Sequence, residues 1–290
     1  MAEKLKVIDI LNYYIYNKKG FKMFFSGPES SFLLRPLAKL MPNVDDFPSV
    51  TTPEFVKQMD EAGYDKVFLC ALKMGSYRTR SINIDYSNEV IYEEVKQFPN
   101  RLVGICGYDP YFVMDSVRGI EKGVKEYGFK GVYAHTLGWG IAANDRRMYP
   151  CYAKCVELDI PFSMQIGQSY EPLPSEPGRP IYVDQVALDF PELRFVCSHT
   201  GYPWVEECVG VAWTRENVYI DCAAHAPRTF AARMKPLLDF MDTGLGRMKV
   251  IYGTNGFGLK NILDEFMALP LKDQSKKAIL GDNAIRVYKL

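Results

Sequence analysis

The sequence predicts a single (β/α)8 barrel over residues 1–290. Eight short apolar segments alternate with eight segments of helical periodicity, which is typical of parallel strands joined by helices. The strand-like segments are nearly continuous in apolar residues, as expected of strands buried on both faces. A doubly wound open sheet is the alternative, and it is disfavoured because no glycine-rich phosphate loop follows an early strand.

The predicted elements alternate along the whole chain. The strands are predicted at residues 7–10, 66–72, 102–107, 130–135, 161–167, 194–199, 218–223 and 250–254. The helices are predicted at residues 52–62, 88–97, 114–127, 146–158, 181–190, 204–215, 229–241 and 260–269. Thr52 is predicted as the N-cap of the first helix, with Pro53 at its first helical position.

Two long connections, residues 12–50 and 168–180, follow the first and fifth predicted strands. Both leave the C-terminal ends of strands, the face where barrel enzymes place their active sites. The first connection is rich in aromatic residues. It can therefore either cover a pocket or pack against a second subunit, and the sequence does not separate these uses.

The composition argues against several partners. The chain has 35 basic and 35 acidic residues, so no net field attracts nucleic acid or an anionic membrane. No apolar segment approaches the ~20 residues that span a bilayer. The N-terminal residues enter a strand without the apolar segment of a signal peptide, and we expect a cytoplasmic protein.

The cysteines also indicate a reducing compartment. The chain has seven, an odd number, and several lie in apolar strand-like segments. Cys151 and Cys155 have helical spacing, but no second pair completes a zinc site. Buried free thiols are the favoured interpretation, and nucleophilic catalysis by Cys106 or Cys222 is a disfavoured alternative.

Polar side chains occur where the predicted barrel strands end. All three histidines, His135, His199 and His225, lie at or just beyond such ends. A single histidine is more often a hydrogen-bonded structural group, but three at one face favour a functional site. The other polar residues at these ends are Asp9, Tyr13, Lys73, Arg78, Arg80, Asp109, Gln165, Gln168, Asp221 and Asn255.

Three motifs carry a resemblance to a known family. "LRFVCSHTGYPWVEE" resembles the His-x-Gly strand and helix of the amidohydrolase superfamily, in its amidohydrolase-related (type 2) branch. "KVIYGTNGFG" is similar to the last strand of that branch, and "AILGDNAIRVYKL" to its closing helix. The branch includes aminocarboxymuconate-semialdehyde decarboxylase and γ-resorcylate decarboxylase. The resemblance implies a barrel enzyme that acts on small cyclic or unsaturated carboxylic acids.

The resemblance also implies a divalent-metal site whose ligands this sequence lacks. The branch usually begins Asp-x-His-x-His, whereas here Leu11 and Tyr13 follow Asp9 at the two histidine positions. Gln165 and Asn255 stand where the branch has a further histidine and an aspartate. A divalent site needs three or four strong donors, so we predict a metal-independent protein with no cofactor.

The function predicted from these residues is acid–base catalysis by His199. The reaction would be decarboxylation, or hydrolysis of an ester or lactone, of a small carboxylic acid. Asp9 and Asp221 are predicted as catalytic partners that set the tautomer of the histidine. The residues predicted to bind the substrate are Tyr13, Lys73, Arg78, His135, Gln165 and Asn255.

Two alternatives remain open at this point. The chain could be a non-catalytic binding or scaffold protein that has kept only the barrel. It could also hold a metal in a rebuilt site made of Asp9, His199 and either His225 or Asp221. Because members of the branch are often dimers, the resemblance further implies a homodimer.

Overall fold

A computed structural model describes residues 5–13, 50–78, 82–169 and 173–290 of the chain. Eight parallel strands form the barrel in the order β1-β2-β5-β6-β7-β8-β9-β10, so the predicted fold is confirmed. The remaining two strands, β3 and β4, form an antiparallel hairpin. The strands are β1 (Ile8–Asn12), β2 (Lys66–Cys70), β3 (Leu72–Gly75), β4 (Ile82–Tyr86), β5 (Leu102–Gly107), β6 (Val132–Ala134), β7 (Phe162–Gln165), β8 (Phe195–Ser198), β9 (Val218–Asp221) and β10 (Val250–Ile251).

Helices connect the barrel strands. Within the described residues, no helix is long and apolar enough to cross a membrane. Short 3₁₀ turns and a π-helical segment at Ala278–Asp282 complete the connections. The α-helices are α1 (Thr52–Ala62), α2 (Asn88–Val95), α3 (Val113–Lys125), α4 (Tyr149–Glu157), α5 (Ile181–Asp189), α6 (Val205–Thr214), α7 (Phe230–Arg233), α8 (Lys235–Met241), α9 (Leu259–Met267), α10 (Asp273–Lys277) and α11 (Asn283–Tyr288).

The elements differ from the prediction in two helices. Thr51, not Thr52, is the N-cap of α1, because its side chain accepts from the backbone of Glu54 while Glu54 reaches back to the Thr51 N–H. The helix predicted at 229–241 is divided into α7 and α8. Pro236 lies in the first turn of α8, where its missing N–H leaves no hydrogen bond unmade.

The hairpin was not predicted, and it changes the end of the second predicted strand. That strand ends at Cys70, and β3 pairs with β4 beside the barrel. The hairpin contacts the barrel through a backbone bridge between Met74 and His135. The close approach of β3 to the segment after His135 requires two glycines. A Cβ on Gly138 would lie 1.7 Å from the carbonyl oxygen of Gly75, and one on Gly75 would lie 2.0 Å from the Trp139 ring.

The barrel closes where the first strand meets the last. The Ile10 N–H donates to the Tyr252 carbonyl oxygen at 3.2 Å, and the Asn255 N–H donates to the Leu11 carbonyl oxygen at 2.8 Å. These two backbone bonds join β1 to the segment that follows β10. They are spaced too widely to form a regular ladder, so closure needs a further contribution.

The Asp9 carboxylate supplies that contribution. Its Oδ1 accepts from the backbone N–H groups of Leu11 at 3.1 Å and Thr254 at 2.9 Å. Its Oδ2 accepts from the Asn12 amide at 2.9 Å and the Thr254 hydroxyl at 2.5 Å. Burial raises the pKa of Asp9 from 3.8 to about 6. The four hydrogen bonds oppose this increase but only partly offset it. We refer to Asp9, Asn12 and Thr254 as the seam cluster.

The first prediction concerns the glycine contact under the hairpin. Gly138→Ala should lower the free energy of unfolding by about 1–3 kcal/mol, because the new methyl group meets a backbone oxygen that cannot move aside. Gly210→Ala in α6 is the matched control, since no atom lies within 4 Å of its Cβ position. Urea denaturation of both variants is the measurement. Equal midpoints for the two variants would contradict the close approach.

The second prediction concerns the pH dependence of the seam cluster. A carboxyl whose pKa is higher in the folded state binds protons more tightly there, so its contribution to stability falls as pH rises through 4 to 6. Between pH 4.5 and 7.5 wild type should lose about 2 kcal/mol relative to Asp9→Asn, which does not titrate. Urea denaturation at both pH values measures this change.

The absolute stability of Asp9→Asn should be lower than that of wild type at both pH values, because its amide nitrogen faces two donors. Asp264→Asn, in an exposed ion pair with Lys260, shows how much of the change comes from net charge alone. A gap between wild type and Asp9→Asn that widens with pH would overturn the assignment.

Candidate active site

The three histidines meet at the C-terminal face of the barrel. His135 follows β6, His199 follows β8 and His225 lies in the connection after β9. His199 is buried, and the pKa of its imidazole lies well below 6.5. Burial is the main cause, and the neighbouring His225 and His135 lower this pKa further. Burial likewise lowers the pKa of His225 to about 4. The His199 ring is therefore neutral at physiological pH, with His135 and His225 within electrostatic reach.

The backbone of His199 has an unusual conformation. Its φ of 71° lies in the left-handed region, and Thr200 follows with a φ of 64°. Ala224 after β9 and Asn255 after β10 have positive φ values of 65° and 60°. Such conformations are costly for residues with a Cβ, and they cluster where function requires a fixed geometry.

Asp221 supports His199 through the backbone and not through the ring. Its Oδ1 accepts from the His199 N–H at 3.1 Å and from the Ala223 N–H at 2.9 Å. Burial raises the pKa of Asp221 to about 6, against the lowering effect of the Ser198 hydroxyl and these two N–H groups. Among the described residues, the His199 Nδ1 has no hydrogen-bond partner.

Asp9 makes no hydrogen bond to a histidine ring either. All four of its hydrogen bonds lie within residues 9–12 or go to Thr254, so its acceptor positions are occupied by the seam cluster. The charges of Asp9 and Asp221 still interact, since Asp9 contributes to the raised pKa of Asp221. Two buried carboxylates therefore lie beneath the strand ends, each bound to backbone N–H groups.

Gln165, Tyr133 and Tyr13 lie together on another side of this face. The Tyr133 hydroxyl donates to the Gln165 Oε1 at 3.5 Å, and the Gln165 amide donates to the Gln168 carbonyl oxygen at the same distance. The Tyr13 and Tyr133 rings make an edge contact with centroids 6.0 Å apart. These long hydrogen bonds leave the Gln165 amide able to bind a better placed partner.

The backbone of Asn255 is fixed by a hydrogen bond, whereas its side-chain oxygen has no hydrogen-bond donor among the described residues. Its N–H donates to the Leu11 carbonyl oxygen, and its φ is positive. The Asn255 Oδ1 is buried, and nothing in residues 5–13, 50–78, 82–169 or 173–290 donates to it. A buried acceptor without a donor is costly, which is typical of a group that awaits a ligand.

The predicted cations occupy different places. Lys73 pairs with Asp85 across the hairpin at 2.6 Å, and Arg78 is exposed in the turn after β3. Arg80 lies outside the described residues. Sequence reasoning missed Arg233 at the end of α7, whose guanidinium lies 4.5 Å from the Tyr202 ring centroid. Its charge also lowers the pKa of His225.

The positions that hold a metal in related barrels are not suited to one here. Leu11 has no donor atom, and Gln165 and Asn255 offer neutral amides. No group of three or more His, Cys, Asp or Glu side chains in the described part of the chain could hold a metal ion. The alternative set of Asp9, His199 and either His225 or Asp221 is thus not assembled, and the residues do not fit the metal that the fold family implies.

The cysteines are not placed for catalysis. All seven are buried and free. Burial raises the pKa of Cys222 to about 12 and that of Cys106 well above 9. A thiol that stays protonated is a poor nucleophile, so these residues belong to the core.

Comparisons with known proteins identify the family and agree with the fold. Residues 77–290 match the sequence model of the amidohydrolase family. A curated relative, 2-keto-4-carboxy-3-hexenedioate hydratase from Sphingobium sp., is 26% identical over 242 residues, which cover 69% of this chain and 70% of that protein.

Solved structures share the fold across nearly the whole chain. An uncharacterised TIM-barrel protein from Bordetella bronchiseptica has a TM-score of 0.76 and 22% identity, covering 98% of both chains. The 5-carboxyvanillate decarboxylase of Sphingomonas paucimobilis has a TM-score of 0.69 and 14% identity, covering 99% of this chain and 100% of its own. The chain therefore belongs to the amidohydrolase family, in the type 2 branch that its motifs predict.

Proposed function

We propose that the chain is a metal-independent lyase acting on a small unsaturated or cyclic carboxylic acid, with His199 as the general base. The reaction favoured is addition of water to a carbon–carbon double bond, or its reverse. The observation that carries this proposal is the His199 imidazole. It is buried and neutral, and no described residue bonds its Nδ1.

A neutral imidazole can accept a proton from water without first losing one of its own. Its low pKa makes it a weak base in the free protein. Because a negative charge favours the protonated form of a nearby histidine, the enolate that develops during the reaction would raise the pKa of His199. The base would then become stronger as the reaction proceeds.

The proton balance of hydration needs two groups. His199 takes a proton from water as the oxygen bonds to the carbon β to a carbonyl or carboxyl group, and the electron pair moves onto that group as an enolate. The proton that His199 has taken would then pass to the α carbon through His135, which is buried and within electrostatic reach of His199: one ring nitrogen of His135 accepts it as the other gives up its own, so both rings end neutral. The curated relative is named as a hydratase of an unsaturated keto acid, which supports this choice of reaction.

Decarboxylation is the second candidate reaction, and hydrolysis of a lactone is a third. The structural relative that decarboxylates 5-carboxyvanillate has only the fold in common with this chain at 14% identity. Protonation of a ring carbon requires an acid that carries its proton before the reaction starts, and a histidine with a strongly lowered pKa is unprotonated at neutral pH. Hydration therefore has the better match to the ionisation state of His199.

Asp9, Asp221, Gln165, Asn255 and Tyr13 have supporting roles in this proposal. Gln165 and Asn255 would hydrogen-bond the substrate oxygens with their amides, and Tyr13 would line the site. Asp9 and Asp221 would hold the strand ends. A non-catalytic scaffold explains the histidines less well, because unsatisfied buried acceptors are costly unless a ligand uses them.

Arg233 is proposed as the group that binds the substrate carboxylate. It is exposed at the rim and stacks on Tyr202, which in turn contacts His225 with ring centroids 5.7 Å apart. A guanidinium binds a carboxylate through two parallel hydrogen bonds.

The cell compartment and the assembly state are further proposals. Seven buried free thiols support a reducing cytoplasm. The homodimer implied by the family remains a proposal, and sedimentation at micromolar concentration would test it.

The third prediction tests the reaction. Purified protein, treated with a chelator and with its metal content measured, should hydrate one member of a panel of unsaturated keto di- and tricarboxylic acids. Loss of ultraviolet absorbance follows the double bond, and carbon dioxide release reports decarboxylation. His199→Gln should lower kcat by about 10²–10⁴-fold, because general base catalysis contributes that much.

Two outcomes of this experiment would count against the proposal. Activity that vanishes on chelation and returns with a divalent metal would show that the reaction needs the ion. An unchanged kcat in His199→Gln would show that another group is the base.

The fourth prediction tests the carboxylate contact. Arg233→Ala should raise KM by about 10-fold or more with a smaller change in kcat, as expected for a charge-assisted hydrogen bond that forms on binding. Arg228→Ala is the matched control, since Arg228 lies one turn earlier and pairs with Glu265. Equal KM values for the two variants would place the carboxylate elsewhere.

A further inference from the structure

We propose that residues 221–225 form a brace that fixes the His199 imidazole through the backbone of His199, with Asp221 and His225 as positioning residues. This inference rests on the proposed role of His199 as the base. It differs from the sequence prediction, in which an acidic side chain bonds the ring and sets its tautomer. Here the two side chains hold the peptide groups on either side of the His199 Cα.

The first contact is at the nitrogen of His199. The Asp221 Oδ1 accepts from the His199 N–H at 3.1 Å and from the Ala223 N–H at 2.9 Å. One oxygen atom thus joins the end of β8 to the start of the connection after β9. Both donors are backbone groups, so the contact depends on an acceptor at this place and not on a formal charge.

The second contact is at the carbonyl of His199. The His225 Nε2 lies 3.2 Å from the His199 carbonyl oxygen, and a carbonyl can only accept. The His225 ring must therefore carry its proton on Nε2. This requirement assigns the tautomer of His225 from geometry, and it removes Nε2 of His225 from proton transfer in the reaction.

These contacts explain how a strained residue is held. His199, Thr200 and Ala224 all have positive φ values, so both braced segments adopt conformations that side chains disfavour. Fixing the N–H and the C=O of His199 leaves its ring free to turn only about χ1 and χ2, and the ring also has a hydrogen bond with the backbone of Ala223, in the same segment. Neither of the two brace contacts uses a ring nitrogen of His199, so its Nδ1 stays available to the substrate.

The brace makes a distinction that variants can test. Asp221→Asn retains an acceptor oxygen for both N–H groups, whereas Asp221→Ala removes it. His225→Gln retains an N–H donor for the carbonyl, whereas His225→Leu removes it. Asp221→Asn and His225→Gln should lower kcat only several-fold. Asp221→Ala and His225→Leu should lower kcat by about 10²-fold with little change in KM, because misplacing a reacting group by about 1 Å costs this much.

The matching structural readout does not depend on activity. The chain has only three histidines, so ¹⁵N-histidine labelling gives three resolvable imidazoles. At pH 7 wild-type His225 should show the neutral form protonated on Nε2. The His199 ring signals should be unchanged in Asp221→Asn and His225→Gln but shifted or broadened in Asp221→Ala and His225→Leu.

Either of two results would overturn the brace. One is a His225 ring protonated on Nδ1 in wild type. The other is equal loss in both members of a variant pair, which would mean that the charge of Asp221 or the imidazole chemistry of His225 is what the reaction uses. If no substrate is found, the ring signals alone decide the question. Failure of the proposed reaction therefore stays separable from failure of the brace.

Discussion

The structure depends on one buried carboxylate at the closure of the barrel. Asp9 accepts four hydrogen bonds, two of them from Thr254 beyond the last strand. Two backbone hydrogen bonds cross this junction, and the Asn12 amide also donates to the Thr254 hydroxyl at 3.2 Å, so side chains contribute as much as the backbone to joining the first and last strands. Leu11 and Asn255 lie next to this seam in sequence, at positions where the family resemblance implies metal ligands. The seam therefore fixes the geometry of the site as well as that of the fold.

Asp221 repeats the same arrangement at the end of β9, the strand that pairs with β10. Like Asp9, it is fully buried, has a pKa raised to about 6 and binds backbone N–H groups at strand ends. A carboxylate surrounded by N–H donors gains most of its stabilisation from hydrogen bonds that a proton-transfer step would break. Both residues are for this reason better suited to hold the strand ends than to exchange protons, although each lies at a catalytic face.

The sequence was sufficient for the barrel and the family but not for the roles of individual polar residues. Strand–helix alternation and three motifs predict the fold, and the structure confirms it. The β3–β4 hairpin was missed because its strands alternate apolar and polar residues, whereas the barrel strands were identified as nearly continuous apolar segments. Lys73 looked free for a substrate because its partner, Asp85, is twelve residues away. Whether the acceptors of Asp9 are already occupied depends on Thr254, which no local pattern connects to it.

The charges in the interior explain why such a site would have to bind the carboxylate of its substrate at the rim. With no metal ligands assembled among the described residues, the interior holds two carboxylates and neutral imidazoles. At neutral pH these groups repel an anionic substrate, so its carboxylate must be bound outside them, where Arg233 lies. The uncharged, reacting part of the substrate can then enter the interior. There, amides and a neutral histidine bind it without desolvating a second negative charge. A double bond next to a carbonyl group meets this requirement, and any further carboxylates of a di- or tricarboxylic substrate would have to remain at the rim.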